Sequence, residues 1–120
     1  MTVELQRDSK LLRIFIGEGD KYGHKTLYEA LVLEAKQQGI AGATVLRGIL
    51  SFGASSRIHT AKLLDLSFDL PIVVEIIDRN DKIEQFLEKA NSMIEETGCG
   101  ALITVEKAEV IHYKTRRHGE

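Results

Sequence analysis

Apolar and polar positions alternate along this chain in two matching passes. The first pass is an apolar run Leu11–Ile16, a helix-like stretch Lys25–Gln38 and a second run Ala43–Leu50. The second is Pro71–Ile77, a helix-like stretch Asp81–Thr97 and Ala101–Val105. The order β-α-β-β-α-β predicts an α+β fold, a ferredoxin-like βαββαβ sandwich in which two helices cover one face of a four-stranded antiparallel sheet. The two halves are joined by about twenty residues, Phe52 to Leu70, a length that is usually functional or disordered in so small a domain.

The second helix has the clearest pattern. Ile83, Phe86, Leu87, Ala90 and Ile94 fall on one stripe, Asp81 and Glu84 fit a capping box, and Gly98 fits the position after the last turn. The first helix is broader on its apolar side, with Leu27, Tyr28, Ala30, Leu31, Val32 and Ala35, which predicts contact with more than one neighbour; Gly39 can end it. Pro71 opens a run rich in β-branched residues, at a strand position where a missing N–H is tolerated. In the first strand Leu12, Ile14 and Ile16 alternate with Leu11, Arg13 and Phe15, so both faces carry apolar side chains. One face must pack on something beyond the helices, and a closed cyclic assembly would solve this.

Composition narrows the class. The 120 residues suit one domain spanning 1–120, and 43% apolar content can fill a core. A net charge of −2 supplies no general attraction for nucleic acid or acidic membranes. No run approaches the length of a membrane span, no secretory signal is visible, and the single Cys99 excludes an internal disulfide, which together point to a cytoplasmic protein without direct membrane insertion.

Four segments could carry chemistry. Gly17, Glu18, Gly19 and Asp20 open a strand-to-helix loop ending at Gly23; such loops can aim N–H groups at a phosphate or simply connect, and the spacing matches no standard nucleotide motif. Arg47 interrupts an apolar strand, either facing solvent or aimed at an anion across a subunit boundary, and Gly48 beside it signals a bulge or a close backbone approach. The linker mixes Ser55, Ser56, Arg57, His59, Lys62 and Asp65 with Leu63, Leu64, Leu66 and Phe68, and Ile58–Leu66 could form a short helix. The tail from Val110 to His118 is locally basic, either an anion site or a solvated end. Cys99, His24, His59, His112 and His118 have no metal-ligand spacing, so no metal site is expected. The aromatic signature of RNA-recognition modules is missing, as is the glycine-rich arginine loop of acylphosphatases.

As a set, Gly17-Glu18-Gly19-Asp20 before Leu27–Leu31, Ala43–Ile49 with Phe52-Gly53, Pro71–Asp78, Gly98-Cys99-Gly100 and Val110–Tyr113 resembles the PII-type signalling proteins, and more closely the bacterial PII-like family of unknown function DUF190. The resemblance covers nearly the whole chain. It implies a homotrimer that binds adenine nucleotides in clefts between subunits. Its long T-loop, here Phe52–Leu70, would dock on a transporter, a membrane channel or an enzyme; relatives are often encoded beside, or fused to, fluoride-channel proteins. The nucleotide-binding residues implied are Gly17, Glu18, Gly19, His24, Arg47, Gly48, Phe52, Gly53, Gly98, Gly100, His112 and Lys114, with no catalytic residue and no cofactor beyond the nucleotide ligand. The phosphate-cradling loop of PII is reduced to Thr97-Gly98-Cys99-Gly100, without its arginine and lysine, and two C-terminal arginines correspond to His112 and Lys114. The tyrosine that PII modifies has no counterpart between Phe52 and Leu70. An ADP- or AMP-type ligand is therefore expected, with a cyclic nucleotide as the alternative. The competing function is a metal-binding tolerance protein, or a small phosphate-ester or acyl-phosphate enzyme, on the same trimeric fold.

Overall fold

Alternation in the strands sorts side chains between two environments. The computed structural model describes residues 8–52, 59–60 and 70–116. Strand β1 (Ser9–Gly17) leads into a hairpin of β2 (Lys21–Tyr22) and β3 (Lys25–Thr26), then helix α1 (Leu27–Gln37) and strand β4 (Gly42–Arg47). Two short strands, β5 (Leu50–Ser51) and β6 (His59–Thr60), pair with each other. Strand β7 (Pro71–Arg79), helix α2 (Asn80–Thr97) and strand β8 (Leu102–Ala108) follow.

The four long strands form one sheet in the order β4-β7-β1-β8, antiparallel at every junction. This is the ferredoxin-like arrangement. Leu12, Ile14 and Ile16 on β1 lie beside Ile76, Val74 and Ile72 on β7, all fully or almost fully buried beneath the helices. Helix α1 adds Leu27, Ala30, Leu31 and Ala35, and α2 adds Ile83, Phe86, Ala90, Met93 and Ile94. Among the described residues no helix covers the opposite sheet face, and its side chains are partly exposed. On it Arg13 donates to Glu75 at 2.9 Å and also pairs with Glu106. Beside this polar row runs an apolar one, Leu46, Val73, Phe15 and Leu102 in register across all four strands.

Several boundaries differ from the sequence reading. Helix α1 begins at Leu27, because Lys25 and Thr26 close the β2–β3 hairpin. That hairpin turns through Gly23 at φ +64°, the region where glycine is favoured. Thr26 caps α1: its hydroxyl accepts from the Glu29 N–H at 3.3 Å and donates to the Glu29 carboxylate at 3.1 Å. Asp81 and Glu84 form no capping box. Helix α2 starts one residue earlier, after Arg79, which makes no side-chain cap bond; Asp81 sits inside the first turn, 3.4 Å from the Arg79 guanidinium. Gly98, in the left-handed conformation at φ +71°, ends α2 as expected, and Gly39, at φ +73°, follows α1 in the same conformation. The second strand stops at Arg47 rather than Leu50, since Leu50 and Ser51 turn away to pair with Thr60 and His59. That pairing makes His59–Thr60 extended, within the stretch around Ile58–Leu66 part of which could have formed a short helix; the remainder of that stretch lies outside the described residues.

Candidate functional site

Antiparallel pairing brings the ends of β1 and β4 together with the starts of β7 and β8. Gly17 lies opposite Pro71, Arg47 opposite Ile72, and Phe15 opposite Leu102. The Gly17–Asp20 loop folds on itself at this end. The Asp20 carboxylate accepts the Gly17 N–H at 2.8 Å, the Asp20 N–H reaches the Gly17 carbonyl at 3.3 Å, and the Asp20 carbonyl accepts the Leu27 N–H at 2.7 Å. The Glu18 N–H donates to the Leu70 carbonyl at 2.7 Å. The amides of Gly17, Glu18 and Asp20 are thus bonded inside the chain rather than presented to a phosphate. The loop acts here as a brace between β1, β7 and the start of α1.

Arg47 stands beside it and forms an ion pair with Glu18. Its side chain is 56% exposed against 20% for Glu18, so the guanidinium keeps a solvent-facing side. Gly48 satisfies the expectation of a close backbone approach. Its N–H donates to the Pro71 carbonyl at 2.8 Å, and a Cβ there would stand 2.9 Å from the Pro71 ring. Phe52 ends this described segment and is 76% exposed; Gly53 lies outside the described residues.

The segment Gly98-Cys99-Gly100 links α2 to β8. The Cys99 N–H donates to the Thr97 hydroxyl at 3.2 Å. Burial, reinforced by the neighbouring Asp20 carboxylate, pushes the Cys99 thiol up from its ordinary range, against a smaller opposing effect of Thr97.

Three sequence-predicted residues lie elsewhere. His24, exposed on the hairpin turn, lines an open groove of about 420 Å³ with Tyr22 and Lys25, facing Glu34 of α1 and Lys89 and Glu96 of α2. His112 and Lys114 flank Tyr113, whose hydroxyl donates to the Ala41 carbonyl at 2.9 Å. Ala41 immediately precedes β4, whereas Arg47 ends it, so that strand separates them by about 20 Å at the usual rise per residue. The tail anchor is itself braced: the buried Asp78 carboxylate accepts the Ala41 N–H at 2.8 Å and the Arg79 N–H at 2.6 Å. Among the described residues, Arg47 and the pair His112 and Lys114 therefore belong to opposite ends of the sheet. Asp20, Leu70 and Tyr113 were not among the predicted site residues. Asp20 was visible as an acidic residue in a glycine loop, but backbone bonds such as that to Leu70 leave no mark in sequence.

Among the described residues, no group of three or more His, Cys, Asp or Glu side chains could hold a metal ion, and no helix is long and apolar enough to cross a membrane.

The βαββαβ sandwich, two helices on one face of a four-stranded antiparallel sheet, is the fold of the PII-like proteins. Comparison with solved structures agrees. A PII-like protein, CPII from Thiomonas intermedia K12 bound to ADP, AMP and bicarbonate, superposes with a TM-score of 0.65 at 17% identity, over 85% of this chain and 87% of that one. A PII-like protein from Thermus thermophilus gives 0.62 at 21% identity, over 86% and 89%. A phage SAM lyase in complex with S-methyl-5'-thioadenosine gives 0.50 at 15% identity, over 89% and 87%, so the same architecture also carries an enzyme. In sequence, residues 9–110 match the DUF190 family, described as an uncharacterized ACR. The chain belongs to that family. A UPF0166 protein of Aquifex aeolicus is 44% identical over 103 residues, covering 86% of this chain and 93% of the relative. One from Methanocaldococcus jannaschii is 32% identical over 90 residues, covering 75% and 82%.

Proposed function

We propose that this protein is a non-enzymatic PII-like regulator. It binds an ADP- or AMP-type nucleotide in clefts between the subunits of a homotrimer and signals through residues 52–70 to a transporter, channel or enzyme. The observation that carries the reading is the division of cations. Arg47 and the glycines at 17, 48, 98 and 100 belong to one end of the sheet, while Tyr113 fastens His112 and Lys114 at the other. A cleft between copies would join the two sets on one anionic ligand, since among the described residues the length of β4 holds them about 20 Å apart within one chain. The open sheet face, with its apolar row across four strands, supplies an association surface. The ADP and AMP bound by CPII are consistent with the ligand class. The shortened Gly98–Gly100 loop, without basic residues, favours fewer phosphates over a triphosphate.

Calorimetry with AMP, ADP, ATP and cyclic AMP, alongside sedimentation equilibrium, tests the reading. Saturable ADP or AMP binding to a trimer, without turnover, supports it. Nucleotide turnover would move the protein to the enzyme class, and a stable monomer would remove the shared cleft. Arg47→Ala is expected to weaken binding by about 1.5–3 kcal/mol, the range for a charge-assisted hydrogen bond.

A further inference from the structure

Glu18 bonds in two directions at once, and the two partners flank the same connection. Its N–H holds the carbonyl of Leu70, immediately before β7. Its carboxylate holds Arg47, the last residue of β4. One residue therefore fastens the strand that enters the 48–70 connection and the strand that leaves it. Gly48, bonded to the Pro71 carbonyl at 2.8 Å, closes the same junction. The carboxylate is largely covered and the guanidinium more than half exposed. A phosphate reaching Arg47 from solvent meets a guanidinium one nitrogen of which already donates to a carboxylate. Two anions around one guanidinium repel each other, so binding and the Glu18 contact oppose one another.

We propose, resting on the nucleotide reading above, that Glu18 is a positioning residue that occupies Arg47 in the ligand-free protein and competes with the incoming phosphate for it. Ligand binding then selects the state in which Glu18 has released Arg47. The brace across β4 and Leu70 changes with occupancy, because the ligand interacts differently with the two states. The competition also lowers apparent affinity, in proportion to the fraction of molecules in which Arg47 is free. Glu18 is thus the residue whose charge weakens ligand binding while making that binding felt at the base of the connection.

Glu18→Gln separates these roles, since it keeps the backbone bond to Leu70 and removes the charge. In calorimetry of the full chain with ADP, the variant is expected to bind roughly two- to fivefold tighter, the scale of an exposed ion pair. The difference from wild type should shrink as salt rises, because screening weakens the pair. Amide exchange at Gly48, Leu50 and Ser51 should respond to ADP in wild type. In the variant it should already resemble the ADP-bound state and respond little further. Weaker ADP binding would make Glu18 a ligand contact and overturn the proposal, as would unchanged affinity. If no adenine nucleotide binds wild type, the nucleotide reading fails on its own. The brace is then judged without ligand: Glu18→Gln and Arg47→Gln must both speed exchange at Gly48 and Leu50, and unchanged rates in either overturn it.

Discussion

The Tyr113 hydroxyl donates to the Ala41 carbonyl at 2.9 Å, joining residues 72 positions apart in sequence. This bond fixes the C-terminal segment against the α1–β4 corner and sets where His112 and Lys114 stand. Tyr113→Phe keeps the ring and removes the donor. The loss should cost about 0.5–1.5 kcal/mol of stability, measured by urea denaturation. If the tail cations complete a neighbouring cleft, ADP affinity should fall as well. Reduced stability with unchanged affinity would mean that His112 and Lys114 do not contact the ligand.

Gly48 offers a sharper packing test. An added Cβ would meet the Pro71 ring at 2.9 Å, closer than ordinary carbon contacts, while the neighbouring backbone bond holds the two strands together. Gly48→Ala should therefore destabilise by about 1–3 kcal/mol, the usual cost of overpacking. Gly98→Ala is strained for a different reason, its positive φ, with open space around the missing Cβ. Comparing the two by thermal denaturation, with Gly48→Ala also perturbing amide exchange at Leu50 and Ser51, distinguishes a steric clash between strands from a backbone penalty at a helix end.

What was legible in the sequence was whatever repeats with the period of an element. The stripe Ile83, Phe86, Ala90 and Ile94 and the alternation of Leu12, Ile14 and Ile16 define the two layers without reference to distant residues. Arg47 and Gly48 were visible because each breaks an apolar strand pattern. The interactions that give them meaning were not: Glu18 with Arg47 and Gly48 with Pro71 join segments remote in the chain. The failed capping box has the same cause. Asp81 and Glu84 have the right spacing, but β7 continues to Arg79 and sets the start of α2 itself, leaving Asp81 within the first turn. The Thr26–Glu29 cap has that same spacing and forms, because the β2–β3 hairpin ends at Thr26.

The Cys99 thiol gives a pH prediction. Burial first, and the Asp20 carboxylate next, raise its pKa above the ordinary 9.0. At neutral pH it is protonated in both folded and unfolded chains, so alkylation by iodoacetamide should be slow in the native protein. Protein stability gained from the neutral thiol is present below pH 9.0 and is lost as pH rises from there through the folded pKa. Asp20→Asn should shift the alkylation profile to lower pH. A native profile matching that of a free thiol would show that Cys99 is not shielded.

The open sheet face supplies the test of assembly. Phe15 and Leu102 are 36% and 52% exposed, and Leu46 is 47% exposed, in one row with Val73. These side chains point away from the core formed by Leu12, Ile14 and Ile16, so changing one of them need not disturb the subunit's own interior. In a trimer packed through this face, Phe15→Glu would forfeit about 1.5–3 kcal/mol of apolar burial per subunit. It would also place a carboxylate in the interface without a partner. Sedimentation equilibrium should then find smaller species at micromolar concentration, with the far-UV circular dichroism of wild type. ADP binding should fall in step with the trimer if each cleft is shared between copies. An intact Phe15→Glu trimer would place the interface elsewhere on the subunit. Dissociation with undiminished ADP binding would place the whole nucleotide site within one chain.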